Sequence, residues 1–356
     1  MFLCDEFIGF KVRIITKREV IGLANRVIRF LNDYHSVARM EYLKVEAPAV
    51  FMPLLFTAYT VAGLMRYYYF EAILAFLMVY LAGFIINSYA DVKVDSRYKK
   101  YIARSAKRMG HDTLLMLFWV QCAIAMALTA HIAWIIGQWW ILGLMAFLIF
   151  LAYGYSLPPF NFKTGGALHV VAICLGAFFL PAVFLFYVAG GAPTIPIWVF
   201  IFGFTTAHFG VSLVNQSGDF LEDRAEGLRT PAVRWGLART LTMGTYSLLG
   251  GLVIMVIGFY FIMTGTPWFT GFEDALGIGI AGRFLFLALV CAVFFAGYSI
   301  PLRGILKIRG ISLRDLPEGD MMKKIKTHIN YPKWQGGGIW GLGIVSFIYF
   351  LVALTF

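Results

Sequence analysis

The chain has 356 residues, 60% of them hydrophobic and 14% charged, with a formal net charge of +11. A soluble domain is about 45–50% apolar and about 25% charged, so the composition excludes that class and points to an all-α polytopic membrane protein. No recognition motif accompanies the positive charge, so nucleic acid is not expected as a partner.

Residues 1–46 hold eight Lys/Arg and no unbroken apolar stretch, so they read as a cytoplasmic segment rather than a secretory signal. Within them, 17–31 predicts an amphipathic helix. Arg18, Gly22, Asn25, Arg26 and Arg29 share one face, and Val20, Ile21, Ala24, Val27, Ile28 and Leu31 another. Such a helix suits the membrane surface. Residues 47–356 read as one membrane-embedded domain with nine spans. These lie at 48–65, 68–90, 112–136, 138–157, 166–189, 195–215, 237–263, 276–300 and 337–356, the first being short. Runs this long favour helices over the two-residue alternation of a membrane barrel.

With nine spans, the N-terminus shares a side with the loops after spans 2, 4, 6 and 8. Those five segments contain 28 of the 30 basic residues, leaving only Arg66 and Arg283 elsewhere. Positive loops stay inside, which predicts a cytoplasmic N-terminus, a C-terminus on the opposite side, and a basic collar in contact with anionic lipid. Cys4, Cys122, Cys174 and Cys291 show no close pairing and read as small apolar residues. Pro53, Pro181, Gly83, Gly176, Gly250 and Gly251, all inside spans, suit kinks and close helix contacts.

One pattern occurs twice, 128 residues apart. Asn87-xxx-Asp91-xxx-Asp95 closes the second span and Asn215-xxx-Asp219-xxx-Asp223 the sixth. Spans 4 and 8 carry a second echo, Tyr155-Ser156-Leu157-Pro158 and Tyr298-Ser299-Ile300-Pro301. Together they predict two pseudo-repeated four-helix halves, related by an axis along the membrane normal, plus a ninth helix. Residues four apart share a helix face, so each triad predicts a polar stripe rising about 12 Å. Carboxylates near hydrocarbon are costly and mark functional sites.

Four carboxylates facing one another require positive charge between them. Oxygen-only ligands flanked by amides suit Mg²⁺, and the lack of His or Cys disfavours zinc. Mg²⁺ completes its shell with phosphate oxygens, which makes a diphosphate the natural ligand. Lys93, Arg97, Lys163, Arg224 and Arg229, at the same membrane face, are candidate phosphate contacts. An apolar, aromatic-rich cavity behind the acids suggests a hydrocarbon tail. Metal would draw off the leaving group's charge, and aromatic faces would steady the resulting carbocation.

These motifs, with the stretch 155–163 (YSLPPFNFK) and Asp223-Arg-Ala-Glu-Gly227-Leu-Arg-Thr-Pro-Ala-Val-Arg-Trp-Gly236, resemble the UbiA superfamily of intramembrane prenyltransferases across all nine spans. The resemblance implies Mg²⁺-dependent transfer of a prenyl group from an allylic diphosphate to a hydrophobic acceptor, a lipid or a quinone precursor. Asp91, Asp95, Asp219 and Asp223 are similar to the family's Mg²⁺-diphosphate ligands, and Asn87 and Asn215 to its motif-opening asparagines. Tyr155, Ser156 and Lys163 match its stretch after span 4, with Lys163 meeting phosphate. Asp91, Asp219, Lys163 and Tyr155 are thus the expected catalytic residues, and Ser156 contacts substrate.

Many members read Arg-Pro at the first span, where this chain has Lys44-Val-Glu46-Ala-Pro48, which disfavours a benzoate-type acceptor. After the first motif it has Arg104-Ser105 and Gly110 where relatives often have Arg-Pro and a Gly. His208, seven residues before Asn215, falls on roughly the same helix face. It is a candidate to contact substrate and take the acceptor's proton, a hydrogen-bonded structural histidine being the alternative. Glu273 and Asp274 lie in a loop away from the acids. A secondary transporter with a carboxylate-lined path is the competing reading. A CDP-alcohol phosphotransferase would need an Asp-xx-Asp-Gly run, which is missing.

Overall fold

Apolar runs of twenty or more residues can satisfy their backbone polar groups in lipid by coiling into helices. The structure, a computed structural model, describes residues 17–57, 63, 65–190, 193–265 and 279–355, and these contain helices and no strand. Cys4, Glu273 and Asp274 lie outside the described residues. In chain order the helices are α1 (Lys17–Val37), α2 (Leu43–Thr57), α3 (Tyr67–Ala90), α4 (Val92–Tyr98), α5 (Lys100–Met109), α6 (His111–Ile136) and α7 (Trp140–Ser156). After α8 (Ala167–Ile173) a π-helical turn, Cys174–Phe179, leads into α9 (Leu180–Gly190). Then come α10 (Ile195–Gln216), α11 (Phe220–Ala225), α12 (Pro231–Trp235), α13 (Leu237–Thr264), α14 (Gly279–Ser312), α15 (Glu318–His328) and α16 (Tyr331–Thr355).

Nine spans are expected from the sequence, and among the described residues seven helices are long and apolar enough to cross a membrane. Of the other two, α7 has 17 residues, which at 1.5 Å per residue is about 26 Å, short of a 30 Å hydrocarbon core. The first, α2, has 15 residues, and 58–62 and 64 of that predicted span lie outside the described residues.

The second echo is not structurally equal in its two places. Tyr155-Ser156 ends α7, where Pro158 and Pro159 follow and Asn161 takes a left-handed φ of 40°. Tyr298-Ser299-Ile300-Pro301 does not end its helix: α14 continues through Pro301 to Ser312. The reason is packing. Beyond Pro301, α14 buries Ile305, Ile308 and Ile311 in one core with Met322 and Ile325 of α15.

Two apolar cores divide the bundle. One gathers α3, α6 and α7, the other chiefly α10, α13, α14 and α16, and α9 contributes to both. Helix α2 serves both, with Val50 and Leu54 in the first and Met52 and Phe56 in the second. A third cluster tucks the end of α1, through Val37 and Ala38, against α3 and α6. There Ser88 Oγ donates to the Val37 carbonyl at 3.0 Å, and Asp33 pairs with Arg108. Residues 24–32 of α1 are exposed.

The closest helix contact joins α10 to α13, and glycine makes it possible. Gly203 and Gly210 of α10 face Gly244, Gly251 and Gly258 of α13. A Cβ on Gly258 would lie 2.6 Å from the backbone nitrogen of Phe200, and one on Gly251 would overlap the backbone of Ala207. Small residues of this kind drive helix association in lipid, where no hydrophobic force operates between helices. Helix α10 carries Asn215, so the seam fixes the second triad. Gly251→Leu is expected to cost about 1–3 kcal/mol or more. Gly250→Leu, with nothing within 4 Å of its Cβ, should stay close to wild type. Thermal unfolding of the purified protein in detergent compares the two.

Candidate active site

Each triad straddles a helix break, so neither is a continuous helical stripe. Helix α3 ends at Ala90, Asp91 stands between helices, and Asp95 lies in α4. In the second copy α10 ends at Gln216, a 3-10 turn carries Asp219, and Asp223 lies in α11. The two middle aspartates share nearly one backbone conformation, φ −97° and ψ 8° for Asp91 and φ −93° and ψ 12° for Asp219. This bridge region is sparsely populated and common at active sites.

All six triad residues line one cavity of about 780 Å³, within the usual range for ligand pockets. Tyr155, Ser156 and Lys163 line it too. The acids are individually matched. Lys163 Nζ pairs with Asp91 Oδ1, a contact both of whose side chains are largely buried. Lys99 Nζ lies 3.3 Å from Asp219 Oδ2 in a more exposed pair. Thr230 Oγ1 donates to Asp223 Oδ2 at 2.9 Å. Ser156 Oγ donates to Asn87 Oδ1 at 3.2 Å. Asp95 is the exception: it is buried, and its Oδ2 has no hydrogen-bond partner. Burial pushes its carboxyl above the usual carboxylate range, against the lowering pull of Lys99 and Arg39.

The loop holding Lys163 is tied down by His169. Its Nδ1 donates to the Lys163 carbonyl at 2.9 Å, and its Nε2 faces the side-chain amide of Gln216 on α10. His169 also lies against Tyr155, ring centroids 5.4 Å apart. One buried histidine thus links the loop after α7 to the helix bearing the second triad.

Behind the acids the walls turn apolar. Phe76, Tyr80 and Phe84 form an aromatic ladder along α3, with centroids 5.8 and 5.1 Å apart. Leu148, Leu151 and Ala152 of α7 face them, and the π-helical turn adds Gly176, Ala177 and Phe178. π-Helical turns recur at functional sites because they re-aim side chains within a helix.

Several residues named from sequence lie elsewhere. Lys93, Arg97, Arg224 and Arg229 are exposed and do not line the cavity. Arg97 pairs with Glu226, and Arg224 makes a two-pronged pair with Glu318 on α15. His208, expected on the cavity face, is fully buried outside it, bonded to Tyr298 at 2.9 Å and packed against Phe178 and Phe204. Helix α10 is buried nearly all round, so sharing a face with Asn215 does not bring His208 to the cavity.

Other lining residues escape sequence reasoning. Arg39 takes a left-handed φ of 48° between α1 and α2, and its guanidinium lies 5.5 Å over Phe84 with Nε unpartnered. Tyr42 stacks on Phe84 at 5.7 Å and meets Tyr331 edge-on at 5.9 Å. Lys99 is one of seven cations in its loop, and nothing in the sequence distinguishes it.

The model of the UbiA prenyltransferase family matches residues 47–290. The chain belongs to this family. It is therefore an integral membrane prenyltransferase, which sets the transporter reading aside. Among solved structures, a UbiA homologue from Archaeoglobus fulgidus bound to GPP and Mg²⁺ aligns with a TM-score of 0.56. The identity is 16%, over 91% of this chain and 100% of that one. A digeranylgeranylglyceryl phosphate synthase aligns at 0.54 and 14% identity, covering 90% and 99%. An apo UbiA homologue from Aeropyrum pernix K1 aligns at 0.51 and 16%, covering 88% and 98%. At these identities the likeness is one of fold. No curated protein matches the chain.

For this UbiA-family enzyme His169 reads as a positioning residue. His169→Phe keeps the ring beside Tyr155 and removes both polar ties. It is expected to lower kcat by roughly ten- to a hundredfold with thermal stability little changed. Accelerated trypsin cleavage at Lys163 would report the loosened loop.

Proposed function

We propose that the enzyme transfers a prenyl group from an allylic prenyl diphosphate to a hydrophobic acceptor, a lipid or quinone-type molecule, with Mg²⁺ as cofactor. The observation carrying this reading is a single cavity with a charged mouth of paired acids and bases and a deep apolar, aromatic wall. Its polarity matches a diphosphate head and an isoprenoid tail. The fold's likeness to a homologue bound to GPP and Mg²⁺ supports it. On this reading the bundle has nine spans, and the cavity mouth and N-terminus face the cytoplasm, in keeping with the basic collar.

The residues present fit a magnesium site. Their donors are oxygens only, and Asp95 keeps a buried carboxylate oxygen without a partner. Among the described residues no three His, Cys, Asp or Glu side chains converge on one point. Mg²⁺ takes one or two carboxylates and completes its shell with water and phosphate. Asp91 and Asp95 with Asn87, and Asp219 and Asp223 with Asn215, would hold it. When bound, Mg²⁺ supplies positive charge to the departing diphosphate.

The protein's own groups do the rest. Lys163 and Lys99, already beside Asp91 and Asp219, are placed to donate to phosphate oxygens as the allylic C–O bond breaks. Tyr80, Phe84 and Tyr155 line the cavity in which the cation would form and supply aromatic surface near it. The apolar wall excludes water, which would otherwise capture the cation. A carbon–carbon or carbon–oxygen bond then forms to the acceptor, which loses a proton.

A panel of allylic diphosphates and acceptors, assayed for diphosphate release by purified enzyme with Mg²⁺ or with chelator, tests this reading. Neither release from nor binding of any donor would overturn it. Asp91→Ala and Asp219→Ala are each expected to cut transfer at least about 10²–10³-fold while leaving the protein folded, and full activity in either contradicts the site. Gly83→Phe, which projects a ring into the tail channel from α3, should shift preference toward shorter donors in the same assay.

A further inference from the structure

Away from the active cavity, basic side chains at the same face fall into two groups. Arg97, Arg224 and Lys326 are neutralised by Glu226, Glu318 and Glu222. Lys100, Arg104 and Lys107 on α5, like Lys93, Arg229, Lys323 and Lys324 elsewhere, are exposed and have no carboxylate partner among the described residues, but these three stand together on one helix face. These three, with Ser96, Ala103 and Arg108, line a shallow, open concavity of about 410 Å³. Only Arg108 there is paired, to Asp33 of α1.

Helix α5 is strongly two-faced. Ile102, Ala103, Ser105 and Ala106 are buried, while the cations and Tyr101 point out. Its position is as telling as its charge. The membrane-crossing α6 begins at His111, three residues after Arg108, and carries exposed Met116, Trp119 and Val120 within its first three turns. The cations therefore immediately precede, in the chain, a membrane-crossing helix whose first turns expose apolar side chains, which sets them at its interfacial end. Topology alone asks for positive charge in this loop, but not for a concavity or for cations left without acids.

We propose that this concavity binds an anionic phospholipid. Its phosphate lies among Lys100, Arg104 and Lys107, and its acyl chains run along Met116 and Trp119. Three unneutralised cations call for a net negative headgroup, which selects against a zwitterionic lipid. The site borders the catalytic segment: Ser96 and Lys100 are chain neighbours of Asp95 and Lys99, which line the active cavity. A bound lipid would brace that segment from outside.

The test is lipid retention, which is independent of prenyl transfer. Purified protein in nanodiscs of phosphatidylcholine with spin-labelled phosphatidylglycerol or spin-labelled phosphatidylcholine reports motionally restricted lipid. Native mass spectrometry reports lipid carried through detergent. Three interfacial charges predict a preference for phosphatidylglycerol on the order of a hundredfold. That preference should vanish in Lys100→Gln/Arg104→Gln/Lys107→Gln and survive in Lys100→Arg/Lys107→Arg. Arg104→Glu reads the same site if the triple variant does not fold. Equal retention of the two lipids by wild type, or an unchanged preference in folded Arg104→Glu, overturns the proposal. So does full displacement of the lipid by inorganic phosphate, which would make the site a reader of free anions. Loss of preference with prenyl transfer retained in detergent would separate the lipid site from the catalytic one.

Discussion

Four carboxylates share one cavity at the ends of membrane helices, and the rest of the site follows from what each needs. Leaving a buried carboxylate unpaired costs several kcal/mol, while an opposite charge near 4 Å returns about 4 kcal/mol at the dielectric of a protein surface. Asp91 obtains Lys163, Asp219 obtains Lys99, and Asp223 obtains the Thr230 hydroxyl. None of these partners lies on the triad helix it serves. Lys163 comes from the loop after α7, Lys99 from the junction of α4 and α5, and Thr230 from the turn before α12. The two contacts are not equal. The Lys163 pair is the more buried and least screened, and its loop is the one a second buried residue, His169, fastens in place. The Lys99 pair is more exposed, and solvent weakens it.

This arrangement needs a scaffold that holds two triads at a fixed separation without a soluble core. The glycine seam between α10 and α13 supplies rigidity on one side, since backbone-to-backbone contact leaves no side chain to reorganise. Helices α2 and α9 supply it between the two apolar cores by feeding side chains into both. The break at each middle aspartate then does local work that a straight helix would not. It leaves Asp95 and Asp223 on separate short helices, α4 and α11, from which both line the cavity. The near-identity of the Asp91 and Asp219 dihedrals shows the same backbone solution reached twice.

Much of this is readable in the sequence because it depends on local periodicity. The triads announce themselves through spacing and repetition, and their shared cavity follows from two copies of one pattern. What escapes depends on tertiary context. The left-handed turn that aims Arg39 at the cavity has no glycine to mark it, and Lys99 is one of seven similar cations. His208 and His169 show the limit most clearly. Spacing places His208 on the Asn215 face, but α10 buries that face among Phe178, Phe204 and Tyr298 at that depth. His169 has no motif around it and yet joins the two halves of the site. The exposed Arg97 and Arg224 were drawn to nearby glutamates, which sequence distances of 129 and 94 residues conceal.

The charge balance of the cavity bears on how its occupants enter. Its lining holds four carboxylates, Asp91, Asp95, Asp219 and Asp223, against three cations, Arg39, Lys99 and Lys163, a formal charge of −1 with histidine neutral. An anionic diphosphate approaching alone meets net repulsion, and the lysines that would greet it are engaged with aspartates. On the proposed function, a divalent cation held by these aspartates would reverse the sign of the cavity, and the lysine ammonium groups would then be available to phosphate. Both lysine–aspartate pairs thus place an ammonium group beside a carboxylate that the proposed function assigns to metal. Asp95, whose buried Oδ2 has no hydrogen-bond partner, is on the same reading the carboxylate that a cation would serve most directly.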